Sequence, residues 1–130
     1  MAKEEYNLLR EALKARSRAY APYSGFKVGA ALLTDGGKII TGSNIENASF
    51  GLAICAERVA FVKAVSEGHK NFKELLIVTG ASKLSTPCGA CRQFMSEFNP
   101  KLKIILANTG GKTLKTNLSK LFPKPFGLKK

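Results

Sequence analysis

Three cysteines and one glutamate carry the spacing in this chain that points to chemistry. Cys88 and Cys91 lie three residues apart after Ser-Thr-Pro, a combination that often begins a helix, so both are predicted in its first turn on one face. Cys55 follows a turn-rich segment and begins a second helical run. The positive end of a helix dipole favours the thiolate form of each cysteine. Three thiolates are enough to hold a zinc ion whose fourth position stays open for water, and Glu57 would lie beside that water.

Two other kinds of site share part of this pattern. Cys-x-x-Cys alone also fits a thioredoxin-like redox pair, with Cys55 unrelated to it. A structural zinc site normally has four protein ligands, and the remaining typical candidate is His69. The helix that begins near Cys55 would place His69 about 20 Å away, too far to share an ion. Cys-x-Glu followed by Pro-Cys-x-x-Cys therefore favours a catalytic zinc site.

The residues next to Cys55 have alternative interpretations. Glu57 could be an exposed glutamate at a helix start, but it stands in an otherwise apolar run. Arg58 could be a surface arginine. However, three thiolates and one divalent cation leave a net charge of −1, and a guanidinium can hydrogen-bond sulfur and withdraw charge from the metal. We therefore expect Arg58 to support the ligand sulfurs.

Length and composition favour one domain over residues 1–130. The formal net charge is +12, but the lysines are spread along the chain, which favours a solvated surface over a polynucleotide site. The sequence has no apolar run long enough for a membrane span, and its charged N-terminus lacks the apolar stretch of a secretory signal. An odd number of cysteines favours metal binding or redox chemistry over a disulfide framework, and we expect a cytoplasmic protein.

Hydrophobic periodicity predicts the elements that position these residues. Tyr6, Leu9, Leu13 and Tyr20 fall near helical spacing and predict an amphipathic first helix of about fifteen residues. A hairpin of strands 26–33 and 38–43 follows, turning at Asp-Gly-Gly. The remaining elements are a loop at 44–51, a helix at 53–67, strands at 75–78 and 104–107, a helix at 88–98, a turn at 108–111, one helical turn at 118–122 and an irregular tail. The two apolar strands should be parallel and linked by the helix at 88–98, so the order predicts an α/β mixed sheet with helices on its faces.

The helix at 53–67 is apolar nearly all round, and Gly68 provides a natural stop. A helix without a polar face is buried on every side. This pattern predicts either a sandwiched central position or a subunit interface.

Four further residues are candidates for ligand contact. Asn44 and Glu46 stand two apart at a strand end, where an amide and a carboxylate can bind sugar hydroxyls, although Asn44 could equally be a turn residue. Spacing alone favours a core position for Phe26. Phe126 lies in the tail between proline and glycine, where it could pack locally or cover a base.

Four segments, at residues 20–31, 42–50, 55–58 and 87–93, resemble the small homotetrameric cytidine deaminases in order and spacing. Their Cys-x-Glu and Pro-Cys-x-x-Cys pattern is the three-cysteine form of the zinc nucleobase deaminase signature. The resemblance implies a three-layer α/β/α fold around a five-stranded mixed sheet, and a homotetramer with shared active sites. It assigns Cys55, Cys88 and Cys91 as zinc ligands, Glu57 as proton shuttle, and as substrate-binding residues Phe26, Asn44, Glu46, Ala56 and, from a neighbouring subunit, Phe126. Phe50 stands where many members of that family have tyrosine.

The implied function is zinc-dependent hydrolysis of cytidine and 2′-deoxycytidine to uridine and 2′-deoxyuridine, with release of ammonia, in pyrimidine salvage. Three other classes remain open from the residues themselves. A polynucleotide editor would use the same zinc chemistry, with positive charge as its support. A thiol redox protein would need no metal, and a zinc-stabilised binding module would hold metal without releasing ammonia.

Overall fold

Five strands form one mixed sheet in the computed structural model, which describes residues 1–128. The strands are β1 (Val28–Thr34), β2 (Ile39–Ser43), β3 (Phe72–Thr79), β4 (Lys103–Asn108) and β5 (Thr113–Asn117), in spatial order β2-β1-β3-β4-β5. The helices are α1 (Lys3–Arg16), α2 (Ala56–Ser66), α3 (Gly89–Ser96) and α4 (Leu118–Leu121), with a 3₁₀ turn at Phe50–Leu52. No helix of the described residues has the length and apolar character that a membrane crossing requires.

The strand directions follow the connections. β1 pairs antiparallel with β2 and β3, and β4 pairs antiparallel with β5. β3 and β4 are parallel and are linked through α3, which confirms that prediction. Hydrophobic periodicity did not predict β5, because its sequence, Thr-Leu-Lys-Thr-Asn, has no apolar run and forms an exposed edge.

Helices cover both faces of the sheet, each over its own apolar cluster. α1 covers one face through a cluster that includes Leu8, Ala12, Leu76 and Val78. α2, α3 and α4 cover the other face through a larger cluster centred on Phe61. This is the three-layer α/β/α arrangement with a five-stranded mixed sheet that the resemblance implied.

The buried side of α1 differs from the predicted one. Tyr6 is 57% exposed and Leu13 is also exposed, whereas the helix buries Leu8, Ala12 and Ala15. The helix also ends at Arg16, so the predicted continuation to Tyr20 is wrong. Near its contact with Gly29 of β1, the helix buries Ala12 and Ala15, whose small side chains allow the close approach.

α2 is shorter than predicted and is not enclosed on every side. It begins at Ala56, with Cys55 as its N-cap, and the chain leaves it through Gly68 at a positive φ of 99°. Val62 is 44% exposed, so the sandwiched position is wrong for the single chain. The other predicted role of this helix, a subunit interface, stays a prediction.

Two glycines let helices lie directly on the strands. A Cβ atom on Gly42 of β2 would stand 2.4 Å from the Ala56 carbonyl oxygen and 2.6 Å from the Ala60 nitrogen. In an α-helix the N–H of residue 60 donates to the carbonyl of residue 56, so both atoms belong to the first turn of α2. That turn therefore lies directly on Gly42. On the opposite face, a Cβ atom on Gly29 of β1 would stand 2.0 Å from the Ala12 carbonyl oxygen in α1.

We expect Gly42→Ala to lower the free energy of unfolding by about 1–3 kcal/mol through overpacking. It should also reduce the zinc that copurifies with the protein, because a displaced α2 carries Cys55 away from the other sulfurs, and metal sites tolerate only small distance errors. Gly29→Ala is the matched control: its Cβ meets α1, which holds none of the candidate site residues, so stability should fall and zinc content should not. Thermal unfolding and metal analysis of the same preparations test both expectations. Equal zinc loss in the two variants would contradict this role of Gly42.

Candidate active site

The three cysteine sulfurs meet at one point, as their spacing predicts. The Sγ atoms of Cys55 and Cys88 are 3.7 Å apart, and those of Cys88 and Cys91 are 3.3 Å apart. All three sulfurs lie within 4.8 Å of one another. Cys91 is buried, Cys55 is half-buried and Cys88 is exposed. The cluster is therefore open to solvent on one side.

Two helix N-termini create this convergence. Cys55 is the N-cap of α2, and Cys88 is the N-cap of α3, where its sulfur accepts a hydrogen bond from the Cys91 backbone N–H at 3.4 Å. Cys91 lies in the first turn of α3. N-cap residues have extended backbone and side chains that face the free N–H groups of the helix. Each sulfur thus lies near positive partial charge, which favours the thiolate.

The sulfurs are too close to ionise independently. Hydrogen bonding from Cys91, and then from Cys88 and Arg58, lowers the pKa of Cys55, although burial of Cys55 opposes this shift. The contact with Cys55 and burial raise the pKa of Cys91. One thiolate therefore forms readily at the expense of its neighbour. Three thiolates at this spacing require a cation between them.

The sulfur geometry fits a zinc ion. Tetrahedral coordination at a Zn–S distance of about 2.3 Å separates sulfurs by about 3.8 Å, close to the spacing between Cys55 and Cys88. Arg58 adds a second indication: its Nε is buried and has no hydrogen-bond partner among the described residues. The guanidinium also interacts with the Cys55 sulfur and favours its thiolate form. Cys55, Cys88 and Cys91 could thus hold zinc with one position left for another ligand.

Glu57 is the buried carboxylate of the site. Its residue is only 5% exposed, and burial raises the pKa of its carboxyl, to which the negative charge of the nearby Cys55 thiolate adds. The side chain therefore keeps its proton to a higher pH than an exposed glutamate does. A carboxyl with a raised pKa is a better proton donor partner for general acid–base chemistry than an exposed glutamate, which stays ionised.

A cavity of about 220 Å³ adjoins these groups. It lies where the carboxyl end of β3 meets the start of β1, the position at which open α/β sheets bind ligands. Its lining combines predicted residues with additional ones: Phe26, Val28, Asn44, Cys55, Ala56, Glu57, Ile77, Thr79, Ser85 and Thr86. Sequence reasoning did not name Ile77 and Thr79 as site residues, although the end of a parallel strand was a usable signal.

Asn44 connects this cavity to the backbone of the preceding strand. Its Oδ1 accepts a hydrogen bond from the Val28 N–H at 2.9 Å, and its Nδ2 donates to the Phe26 carbonyl at 2.8 Å. Asn44 thereby fixes the backbone on both sides of residue 27. Phe26 itself is 43% exposed, so the core position favoured by its spacing is wrong.

Glu46 lies in a second, adjacent cavity of about 320 Å³ that it shares with Tyr23 and Phe50. Its Oε1 accepts the backbone N–H groups of Tyr23 and Ser24 at 2.9 and 3.1 Å, and its Oε2 accepts the Ser24 hydroxyl. The Ser24 hydroxyl, followed by these backbone groups, lowers the pKa of Glu46. Glu46 therefore stays ionised and holds the turn that leads to Phe26.

Phe126 lies apart from both cavities of the single chain. The residue is 70% exposed, and its backbone is bound by Gln93, a residue that sequence reasoning did not select. His69 follows the far end of α2 and is outside the sulfur cluster, as predicted. The structure thus brings together all predicted site residues except Phe126, with Glu46 in the neighbouring cavity.

Comparison with known proteins gives consistent matches over nearly the whole chain. A family model described as the cytidine and deoxycytidylate deaminase zinc-binding region matches residues 2–107. The chain is 48% identical over 120 residues to a cytidine deaminase of Sporosarcina psychrophila. This alignment covers 92% of this chain and 88% of that protein. The crystal structure of cytidine deaminase from Burkholderia pseudomallei has a TM-score of 0.91 at 43% identity, covering 97% of this chain and 100% of that one. The crystal structure of cytidine deaminase from Mycobacterium tuberculosis has a TM-score of 0.83 at 37% identity. That alignment covers 98% of this chain and 100% of the other.

We expect Arg58→Ala to weaken zinc affinity about 10–100-fold, the range typical of residues that support metal ligands. Its guanidinium offsets the excess negative charge of three thiolates and a divalent cation. Arg18→Ala removes the same charge at an exposed position outside the cluster and should leave affinity unchanged. Competition with a zinc chelator measures the effect without reference to activity. Unchanged affinity in Arg58→Ala would contradict this role.

Proposed function

The chain belongs to the cytidine and deoxycytidylate deaminase family, and from this we propose that it hydrolyses cytidine and 2′-deoxycytidine to uridine and 2′-deoxyuridine, releasing ammonia. The observation that carries the proposal is the buried Glu57 beside three clustered sulfurs, at the wall of a cavity. A redox dithiol has no use for a third sulfur and a buried carboxyl at the same point. A purely structural zinc site has no use for an adjoining cavity.

Zinc is the cofactor, and we assign its binding to Cys55, Cys88 and Cys91. When bound, zinc supplies a Lewis acid that makes a water molecule more acidic. The sulfurs of the three cysteines would hold the ion, and the N-termini of α2 and α3 would stabilise those sulfurs as thiolates. Arg58 balances the charge of the sulfurs, so that the cluster retains its acidifying effect.

Glu57 performs the proton transfers of the reaction. It accepts a proton from the attacking water and delivers it to ring N3, which makes C4 of the pyrimidine electrophilic. The water oxygen forms a bond to C4. Glu57 then delivers the second water proton to the exocyclic amino group, and the bond between C4 and that amino nitrogen breaks. Ammonia leaves, and the pyrimidine carries oxygen at C4. The raised pKa of Glu57 matches this alternation between base and acid.

The lining of the cavity favours a nucleoside over a phosphorylated substrate. The chain has 21 lysines and arginines, yet none is among the ten residues that line the cavity. Phosphate recognition relies on arginine, lysine or helix N-termini, and the two N-termini here face the sulfur cluster. The positive charge therefore belongs to the outer surface, and a polynucleotide has no cationic groove at this site.

Four residues that line the two cavities are assigned to nucleoside binding in this proposal. Phe26 packs against the pyrimidine, and Ala56 contacts it beside Glu57. Asn44 and Glu46 bind the ribose. Asn44 donates its second Nδ2–H, because the first bonds to the Phe26 carbonyl, and Glu46 accepts through the remaining lone pair of Oε2. Because both side chains are already fixed by backbone contacts, little rotamer entropy is lost when sugar binds. Contacts to the 3′-hydroxyl accept cytidine and 2′-deoxycytidine alike.

We also propose a homotetramer in which neighbouring chains complete each active site. Val62 on α2 and several residues near the second cavity are exposed apolar groups that a neighbour would cover, among them Phe50 and Leu52. Phe126 is exposed and takes part in none of the ring–ring contacts of the described residues, and in this proposal it reaches the base in an adjacent chain. Closed symmetry would bury these groups in equivalent interfaces.

The free cysteines suit a reducing compartment, which supports the proposed cytoplasmic location.

A substrate panel tests the deaminase proposal. We expect zinc-loaded protein to convert cytidine and 2′-deoxycytidine, and to show at least about 100-fold lower kcat/KM for deoxycytidylate and for a cytosine-containing oligonucleotide, because the cavity lacks cations. Glu57→Gln is the matched control: it should keep zinc and fold but lose at least about 100-fold in kcat, the lower range of general acid–base catalysis. Ammonia release and ultraviolet absorbance report turnover. Absence of cytidine turnover, or a Glu57→Gln variant at a tenth of the wild-type rate, would contradict the assignment.

A mixing experiment tests the shared site. Phe126→Ala chains retain Glu57, and Glu57→Gln chains retain Phe126, so a hybrid assembly contains sites with both residues intact. We expect mixing to raise activity at low cytidine concentration above the sum of the separate proteins. Mixing Glu57→Gln with the Glu57→Gln/Phe126→Ala double variant is the control, since no site then contains Glu57. A fully active monomer in sedimentation experiments, or no rescue in verified hybrids, would exclude a shared site.

A further inference from the structure

Two adjacent residues of α3, directly after Cys91, bind segments outside the helix. Arg92 donates from Nε to the Pro87 carbonyl at 2.8 Å and from Nη1 to the Leu121 carbonyl at 2.9 Å. Its Nη2 donates to the Thr86 hydroxyl at 2.9 Å. Arg92 therefore ties both the segment before Cys88 and the end of α4 to the helix that carries Cys91.

Gln93 extends this connection to the tail. Its Nε2 donates to the Phe126 carbonyl at 2.9 Å, and its Oε1 accepts the Phe126 N–H at 3.1 Å. One amide side chain thus pairs with both backbone groups of one residue. Two bonds of this kind fix the orientation of a backbone unit as well as its distance, as in a pair of antiparallel strands.

Residues 123–128 of the tail have no other comparable attachment among the described hydrogen bonds. Within the part of the chain that the structure describes, residues 123–128 make their hydrogen bonds to the remainder of the protein through Gln93 alone. The sequence around Phe126 forms no helix or strand. Phe126 is nevertheless 70% exposed. The amide pair therefore does not serve to bury the ring; it holds an exposed aromatic group at a set position relative to the zinc-site helix.

We propose that Gln93 is a positioning residue that presents the Phe126 ring to the substrate site of a neighbouring chain. This inference rests on the shared active site proposed above. Without the amide pair, the tail would sample many conformations, and ordering it on substrate binding would cost conformational entropy. Gln93 removes that cost in advance and so lowers the KM for cytidine. It touches neither substrate nor metal, so kcat and zinc content should not depend on it.

A double-variant cycle tests the proposal. We expect Phe126→Ala to raise the KM for cytidine roughly tenfold, as for loss of one aromatic contact with a base. Gln93→Ala should raise KM about threefold to tenfold, with kcat and zinc content unchanged. In the Phe126→Ala background, Gln93→Ala should have no further effect, because no ring remains to be positioned. Ser96→Ala is the matched control: its hydroxyl bonds to the Gln93 carbonyl on the same helix but does not contact the tail, so KM should stay at the wild-type value.

Hydrogen exchange of the Phe126 amide provides a measurement that does not involve activity. The amide should be protected in the wild-type protein and in Ser96→Ala, and should exchange rapidly in Gln93→Ala. Gln93→Glu keeps an oxygen for the Phe126 N–H but loses the Nε2 donor and places a carboxylate against the Phe126 carbonyl. Its exchange rate and KM should therefore lie between those of the wild type and Gln93→Ala, or at the latter.

The outcomes separate this inference from the broader proposal. No cytidine turnover by the wild type would refute the deaminase function itself. Turnover with a wild-type KM in Phe126→Ala would refute the role of the ring, and Gln93 would then have nothing to position. An equal effect of Gln93→Ala with and without Phe126 would overturn the positioning role, as would reduced zinc content in Gln93→Ala or unchanged protection of the Phe126 amide.

Discussion

The structure depends on the meeting of two helix N-termini at one end of the central strands. Cys55 caps α2 and Cys88 caps α3, and three sulfurs lie within 4.8 Å only if both helices keep their positions on the sheet. α2 is held by direct backbone contact with Gly42. α3 is held by its place in the crossover between the parallel strands β3 and β4. The fold therefore does more than bury apolar surface: it sets a distance between two polar helix ends.

The charges at this point explain why the surrounding residues are of such different types. Three thiolates repel one another and need a cation, while Glu57 needs a buried place in which its pKa stays high. Arg58 supplies positive charge next to the sulfurs without entering the cavity lining. The cavity wall is otherwise apolar or neutral, apart from Glu57 and the cysteine. No lysine or arginine is among the described residues that line the cavity, which suits a neutral nucleoside.

Short-range patterns were sufficient to predict a large part of this arrangement. Cys-x-Glu and Cys-x-x-Cys act within one helical turn, so local spacing predicted that the cysteines and Glu57 begin two helices. Apolar runs predicted β3 and β4 and their parallel pairing.

Periodicity failed for α1, because it selects the larger apolar residues, whereas the helix buries alanines where its backbone lies against Gly29. It also missed β5, whose pairing with β4 rather than its composition makes it a strand. The resemblance supplied the number of strands.

Local sequence patterns establish which chemical groups this protein carries and which helices and strands carry them. What those groups contact depends on long-range packing. Asn44 bonds to the backbone sixteen residues earlier in the chain, and Gln93 bonds to Phe126 thirty-three residues later. No local pattern encodes such a pair, because either residue would look the same in the sequence with another partner. These contacts arise when the sheet brings distant segments together, and they fix the positions on which the proposed chemistry depends.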